Sequence, residues 1–507
     1  MAVRLYNTLT QRVEDLQPLE PNKVRVYVCG ITTYDNAHAG HGRTYTTFDV
    51  LVRFLALRGY EVVHVRNVTD VDDKILKRSS ELGEEPLAFS RRMSEVCDAD
   101  LASIGCTHPT HAPRVSTHLP EIVALIERLI ATEHAYVAET PKGKDVYFAV
   151  RSFAGYGKLS HRNIDDLQAG ARIEVGEIKR DPLDFALWKG DTSEGAWGFE
   201  SPWGKGRPGW HIECSAMSHK YLGEHFDIHC GGMDLVFPHH ENEIAQSEAV
   251  YGPPMAALWM HGGFLEVDKE KMSKSLGNFV TIKDVLERND AEGLRYFLLG
   301  THYRGPLSFD LDKHEDRVHF PGVDDGERRA EYLYLTREAC VLAAEGAAPS
   351  AASKAMPDAA KTIADAPSKV LAALDQDLNT PQALAVLAEL AKTANDVATA
   401  ATRAKKDPAR QADLRAVAAA AVESLRAACA PLGLMQASPE EFARRTRERR
   451  LRLRKLDAAW IDAEVAARGE ARAAKDFAKA DAIRKGLAEK GVEVLDGATG
   501  STWRVQV

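Results

Sequence analysis

Three separated stretches carry side chains able to do chemistry together. The first holds Cys29-Gly30, His38-Ala39-Gly40-His41 and Arg66-Asn67-Val68-Thr69-Asp70. The second holds Gly209-Trp210-His211-Ile212-Glu213-Cys214 and Phe237-Pro238-His239-His240-Glu241-Asn242-Glu243. The third is Lys271-Met272-Ser273-Lys274-Ser275. Two jobs can be read here, holding nucleotide phosphates and holding a metal ion. Lys271 and Lys274 stand in a loop flanked by Gly262, Gly263 and Gly277, where lysine can bring movable positive charge to a triphosphate. His38 and His41 fall at the head of an expected helix, whose N-terminus offers free N–H groups and a positive dipole end to phosphate. Alone, they read equally well as two polar residues in a turn. Cys29, Cys214, His239 and Glu243 could form a tetrahedral zinc set, and the i, i+4 spacing of His239 and Glu243 puts both on one helix face. Each also has a plainer reading, as a small buried hydrophobe for a lone cysteine or a surface pair for His-x3-Glu. No Cys-x2-Cys spacing decides between them.

The elements that must position these residues are legible. Residues 23–30 alternate, with Val24, Val26 and Val28 on one face, and predict a strand. Phe48, Leu51, Val52 and Leu55 fall at helical spacing within 42–58, before Gly59. Residues 61–68 predict a second strand. Strand, helix, strand opens a doubly wound α/β domain, with ligands at the carboxyl ends of the strands.

HAGH followed by KMSKS resembles the paired signatures of class I aminoacyl-tRNA synthetases. Ala39 stands where a larger apolar residue is usual, and faces the helix core. YVCG, RNVTDVDDKI (66–75), GRPGWHIECSAM (206–217), IHCGGMDLVFPHHENEIAQSE (228–248) and KMSKSLGN (271–278) extend the resemblance to the cysteinyl-tRNA synthetases, from near residue 2 to the C-terminus. It implies one zinc per chain on Cys29, Cys214, His239 and Glu243, with the substrate cysteine's thiol bound to it. It implies ATP with Mg²⁺, L-cysteine and tRNA(Cys) as partners. His38, His41, Lys271 and Lys274 are the implied catalytic residues, with His38, His41 and Lys274 on ATP. Gly30, Thr69, Trp210, His229 and Asp234 are implied in the cysteine pocket, Asp234 facing the substrate ammonium. Trp210 and His229 serve equally well as core packing.

Zinc suits this selection because it lowers a thiol's pKa, so cysteine binds as thiolate. Serine lacks that bond, and a lost specific bond can discriminate by roughly 10⁴ or more without editing. Four protein ligands normally close a zinc site, so the ion must become five-coordinate or Glu243 must loosen. Cys230 departs from the family's small residue and is excluded from the ligand set. The resemblance also implies that the carboxylate of cysteine attacks the α-phosphorus of ATP without a general base, and that the adenylate passes cysteine to the 3′-terminal ribose. The nearest rival, the mycothiol-pathway ligase, shares the catalytic domain, and Ile31 leans its way, but a sugar acceptor needs no anticodon module. A catalytically idle RNA-binding paralogue conflicts with intact signatures.

The 507 residues allow three or more domains. The expectation is a Rossmann-like doubly wound catalytic domain with an insertion, then a helical bundle and a small C-terminal α/β module. The first half spans 1–115, the connective insertion 116–205 with a hairpin near 135–150, and the second half 206–268. The KMSKS loop and stem-contact region spans 269–320, made of short helices and turns, the anticodon-side bundle 321–436, and the anticodon-recognition module 444–507. Pro349, Pro357 and Pro367 mark a loose connection over 344–367. Residues 444–455 hold eight basic residues and one acidic one, which read equally as a solvated face or an RNA-phosphate contact. Trp503 and Arg504 are the tRNA candidates; Trp503 could stack on a base or fill the hairpin's core. Seven scattered cysteines fit a reducing compartment. With no signal-like opening or long apolar run, a cytoplasmic location is expected, with a monomer as the family's usual state. The net charge of −9 argues mildly against a nucleic-acid binder, unless a local basic surface offsets it.

Overall fold

The computed structural model describes residues 2–163, 178–267, 270–271, 279–314, 317–497 and 500–506. The chain forms two compact units. The first comprises Met1–Ile282, Leu298–Ser308 and Lys369–Leu384, and the second Lys283–Phe297, Phe309–Ser368 and Ala385–Val507.

The first unit opens with the hairpin β1 (Arg4–Asn7) and β2 (Arg12–Asp15). Then come β3 (Lys23–Val28), α1 (Ala39–Leu57), β4 (Glu61–Arg66), α2 (Asp73–Leu82), α3 (Pro86–Ser103) and α4 (Leu119–Ala131). An antiparallel sheet follows, with β5 (Ala135–Thr140), β6 (Gly143–Phe148), β7 (Phe185–Gly190) and β8 (Gly206–Pro208) in sequential order. The chain returns through α5 (Trp210–Leu222), β9 (Phe226–Gly232), α6 (Glu241–Tyr251) and β10 (Ala256–Gly262). The central sheet is parallel, ordered β10-β9-β3-β4. A small sheet of β11 (Leu265–Val267), β12 (Glu270–Lys271) and β13 (Leu307–Ser308) completes the unit.

The alternation read in residues 23–30 gives way to burial on both faces, since Val26, Tyr27 and Val28 are all fully buried. Helices cover both sides of a parallel sheet, so a central strand has no solvent face. The order places β3 and β9 side by side, with Val28 opposite Cys230. Cys29 and the end of β9 thus become neighbours, although the insertion separates them in sequence.

The second unit is mainly helical. It uses α7 (Ile282–Leu286), α8 (Ala291–Leu299), the hairpin β14 (Asp312–His314) and β15 (Arg317–His319), α9 (Pro321–Ala344), α10 (Pro357–Leu374), α11 (Thr380–Arg403) and α12 (Pro408–Cys429). It ends with α13 (Pro439–Arg454), α14 (Ala458–Ala473), α15 (Phe477–Glu489) and the hairpin β16 (Val492–Gly497) and β17 (Gly500–Val505). Some of these helices straddle the limits of the units. Ile461, Val465, Leu487, Val492 and Val494 form the core of the terminal module.

Three expectations change. Helix α10 starts at Pro357 and carries Pro367 inside it, so the irregular connection is confined to 345–356. Proline at a first helical position gives up an N–H that had no partner there. The stretch 279–320 contains short strands as well as helices. The arginine-rich run is divided: Arg444, Arg447, Arg452, Arg454 and Lys455 are exposed, while the other three turn inward. Arg445 and Arg449 pair with Asp290, while Arg449 and Arg450 converge on fully buried Glu327. Arg450 also pairs with Glu331. Three of the eight basic side chains are therefore internal counterions.

Candidate active site and metal centre

Helix α1 begins at Ala39 with His38 as its N-cap. The His38 side chain accepts from the His41 backbone N–H at 3.2 Å, and His41 Nδ1 accepts from His38 N–H at 3.3 Å. The two rings stack at 3.5 Å and 19°. This reciprocal cap is what the spacing of HAGH achieves. Ala39 is fully buried. The backbone just after the KMSKS stretch docks here, with Ala39 N–H donating to the Val280 carbonyl at 2.9 Å and the Phe279 ring edge-on to His38 at 5.2 Å. Lys274 and the side chain of Lys271 lie outside the described residues.

A cavity of about 320 Å³ opens at the carboxyl ends of the central strands. Cys29, Gly30, His38, His41, Trp210 and Asp234 line it. Gly30 has no room for a side chain, because a Cβ would sit 1.6 Å from the Asn67 carbonyl oxygen. Trp210 is 41% exposed and stacks on His239 at 4.2 Å, so it walls the cavity instead of filling the core. Asp234 is exposed at the rim.

The structure brings Cys29, Cys214, His239 and Glu243 together, with one ligand atom from each lying within 4.8 Å of every other. All four are buried. Cys29 follows β3, Cys214 projects from α5, and Glu243 sits in the first turn of α6. His239 lies in an irregular turn before α6, where Phe237 is extended. The helix expected to carry both His239 and Glu243 therefore starts after His239, but His239 Nε2 still meets Glu243 Oε1 at 3.0 Å. The sulfurs are 3.8 Å apart, and Cys29 Sγ is 3.5 Å from Glu243 Oε1. Bond lengths of about 2.3 Å to sulfur and about 2.1 Å to oxygen would give tetrahedral edges of about 3.8 and 3.6 Å. These two edges are those expected around one four-coordinate ion.

Electrostatics favour a cation. Burial pushes the Cys29 thiol up, whereas Cys214, accepting from Cys29 and from His239, falls to about 6. Against the opposing effect of burial, His229 and His239 hold the Glu243 carboxyl well below its usual range. Negative charge thus concentrates on Cys214 and Glu243.

Two implied pocket residues are placed behind the cavity wall. His229 is fully buried, stacks on Trp259 at 4.3 Å, and its Nε2 meets Glu243 Oε2 at 2.8 Å. Thr69 is buried and donates to Glu213 Oε2 at 3.3 Å. Asn67 Nδ2 donates to Thr69 Oγ1 at 3.2 Å, and Asn67 Oδ1 accepts from Gly30 N–H at 2.7 Å. Cys230 is buried outside both candidate donor sets.

Sequence reasoning passed over His240 and His261. His240 Nε2 lies 3.2 Å from Cys29 Sγ, its Nδ1 is 2.7 Å from His261 Nε2, and His261 Nδ1 is 2.8 Å from Thr8 Oγ1. Cys29, His229, His240 and Glu243 form a second possible donor set. The paired histidines of FPHHENE were the available signal. Tyr34 and Lys74 also line the cavity without having been singled out. In the terminal module, Trp503 packs against the core, donates to Asp462 at 2.6 Å, and carries the Arg447 guanidinium 3.8 Å above its ring. Arg504 pairs with Glu493 across the hairpin.

No helix among the described residues is long and apolar enough to cross a membrane. Residues 15–318 match the family described as tRNA synthetases class I (C) catalytic domain, and residues 369–436 match the DALR domain. A cysteine–tRNA ligase of Anaeromyxobacter sp. (strain K) is 50% identical over 512 residues, covering 100% of both chains. One from Geobacter sulfurreducens is 47% identical over 507 residues, again across 100% of both. Among solved structures, Mycobacterium tuberculosis methionyl-tRNA synthetase in complex with methionyl-adenylate shares the fold with a TM-score of 0.62 at 17% identity, covering 83% of this chain and 93% of that one. With whole-length identity of this order and a class I catalytic domain, the chain belongs to the class I cysteine–tRNA ligases.

Proposed function

We propose that the cavity joins L-cysteine to ATP, carried with Mg²⁺, as cysteinyl-adenylate, then transfers cysteine to tRNA(Cys). The observation that carries this reading is the meeting of Cys29, Cys214, His239 and Glu243 beside a cavity lined by His38 and His41. Two sulfurs, an imidazole and a carboxylate are a donor set that suits zinc. A zinc ion there supplies one thing, a site that takes the substrate's sulfur as thiolate and has little affinity for serine's hydroxyl. The set with both sulfurs is preferred over the histidine-rich alternative. His229 and His240 then act from behind, fixing Glu243 and Cys29 as outer supports of ligands.

The chain's own groups do the rest. Asp234 faces the substrate ammonium from the rim, and Trp210 walls the side-chain pocket. The positive dipole end of α1, with His38 and His41, receives phosphate charge as it develops. Lys271 and Lys274 bring further positive charge to the leaving pyrophosphate. The substrate carboxylate is already ionised, so positioning and electrostatic stabilisation account for catalysis. Gly30, held to Asn67 and through Thr69 to Glu213, keeps the ligand strand in register. Trp503 and Arg504 engage the tRNA.

The test is transfer of labelled cysteine to total tRNA by the whole chain with ATP and Mg²⁺. Charging of tRNA(Cys) is expected. Adenylate formation without charging would contradict the reading and favour a small-molecule acceptor.

A further inference from the structure

A second cavity, of about 200 Å³, lies wholly within the helical unit. Its wall includes Arg288, Asn289, Phe320, Asp324, Leu453 and Arg454. Asn289 is 3% exposed. Its Nδ2 donates to Asp324 Oδ1 at 2.6 Å and to Glu327 Oε2 at 3.4 Å. Two carboxylates on one side fix the amide's orientation, because a flipped amide would turn its oxygen toward both. The Asn289 Oδ1 atom is consequently buried with no hydrogen-bond partner. Leaving a buried acceptor unsatisfied is costly, so the site calls for a donor. The Arg288 side chain, on the same wall, has no hydrogen-bond or ion-pair partner among the described residues.

These groups define a ligand. Asn289 Oδ1 and the Asp324 carboxylate both accept, so the buried end takes a group rich in N–H donors. Phe320 and Leu453 supply apolar surface, and Arg288 supplies a cation suited to phosphate. The volume is below the roughly 300–1,000 Å³ of pockets for drug-sized molecules, which fits a single ring system. We infer that this cavity binds one unstacked nucleotide, an amino-bearing base against Asn289 and Asp324 with its phosphate on Arg288. This inference rests on the tRNA-charging reading for the source of that nucleotide, a tRNA; a free mononucleotide has the same chemistry.

The test uses the full chain with Arg288→Ala and Arg288→Lys. Arg288 lies outside the cysteine and ATP site, so cysteine-dependent ATP–pyrophosphate exchange should be unchanged in both. tRNA(Cys) affinity is measured across a range of KCl concentrations. Loss of one phosphate contact should weaken binding about tenfold and lower the salt slope by about one, with Arg288→Lys recovering most of the slope. GMP and UMP are titrated against the wild type and Arg288→Ala, followed by calorimetry. Saturable binding of GMP in preference to UMP, lost in Arg288→Ala while tRNA binding is unaltered, would support the site and assign it to a free nucleotide. Unchanged tRNA affinity and slope together with no GMP binding would overturn it. A wild-type chain that binds no tRNA and charges none would defeat the tRNA-charging reading, leaving the GMP arm to judge the cavity.

Discussion

Replacing Glu327 by alanine removes the carboxylate on which Arg449 and Arg450 of α13 converge. Glu327 is 1% exposed. It accepts from Arg450 Nη2 at 2.7 Å, Arg450 Nε at 3.1 Å and the Asp290 backbone N–H at 2.7 Å, with Arg449 Nη2 also on Oε1. Arg449 and Arg450 are 9% and 5% exposed, so Glu327→Ala leaves two buried guanidinium groups short of a counterion. Asp290 and Glu331 still neutralise part of that charge. Breaking a buried pair from one side typically costs about 3–5 kcal/mol. At about 2–4 °C per kcal/mol for a unit of this size, the melting temperature should fall by roughly 6–20 °C. Scanning calorimetry of the whole chain measures this, with cysteine-dependent ATP–pyrophosphate exchange at 20 °C as the control for the catalytic unit. High salt should change the effect little, since buried pairs are poorly screened. A fall of less than about 2 °C would refute the claim that Glu327 holds the arginine-rich helix in place.

Other outcomes concern the catalytic unit. Cys29→Ser and Cys214→Ser should each fail to retain metal after dialysis and lose cysteine activation, while Cys230→Ala keeps both; elemental analysis with pyrophosphate exchange checks all three. Lys274→Ala should slow adenylate formation in single-turnover assays with near-normal cysteine affinity, and an unchanged rate would remove the lysine from the mechanism. Gly30→Ala forces a Cβ to within 1.6 Å of the Asn67 carbonyl, so the backbone must move; urea unfolding should show a loss of about 3 kcal/mol or more.

His38, His41 and the four ligand candidates were legible only through the long motifs around them and the resemblance these carry, since spacing alone left each with a plainer reading. Their supports were not. His240 reaches Cys29 because β9 pairs with β3, and His261 reaches His240 because β10 pairs with β9. Nothing local in the sequence reports that pairing. The inward pairing of Arg445, Arg449 and Arg450 was hidden for the same reason, since Asp290 and Glu327 lie far upstream of them. This also bears on assigning the terminal module, because cutting the chain near residue 436 would strip buried counterions from Asp290 and Glu327. Point substitutions at Trp503 and Arg504 are the cleaner probe of its part in tRNA binding.

The account's central claim is that a metal held by Cys29, Cys214, His239 and Glu243 selects cysteine by its sulfur. The most direct measurement compares cysteine- and serine-dependent ATP–pyrophosphate exchange in zinc-loaded, chelator-stripped and zinc-restored protein. The account predicts a preference for cysteine of roughly 10⁴ in the loaded protein, loss of cysteine activation on stripping, and its return with zinc. Metal-free protein that activates cysteine with the same preference over serine would contradict it.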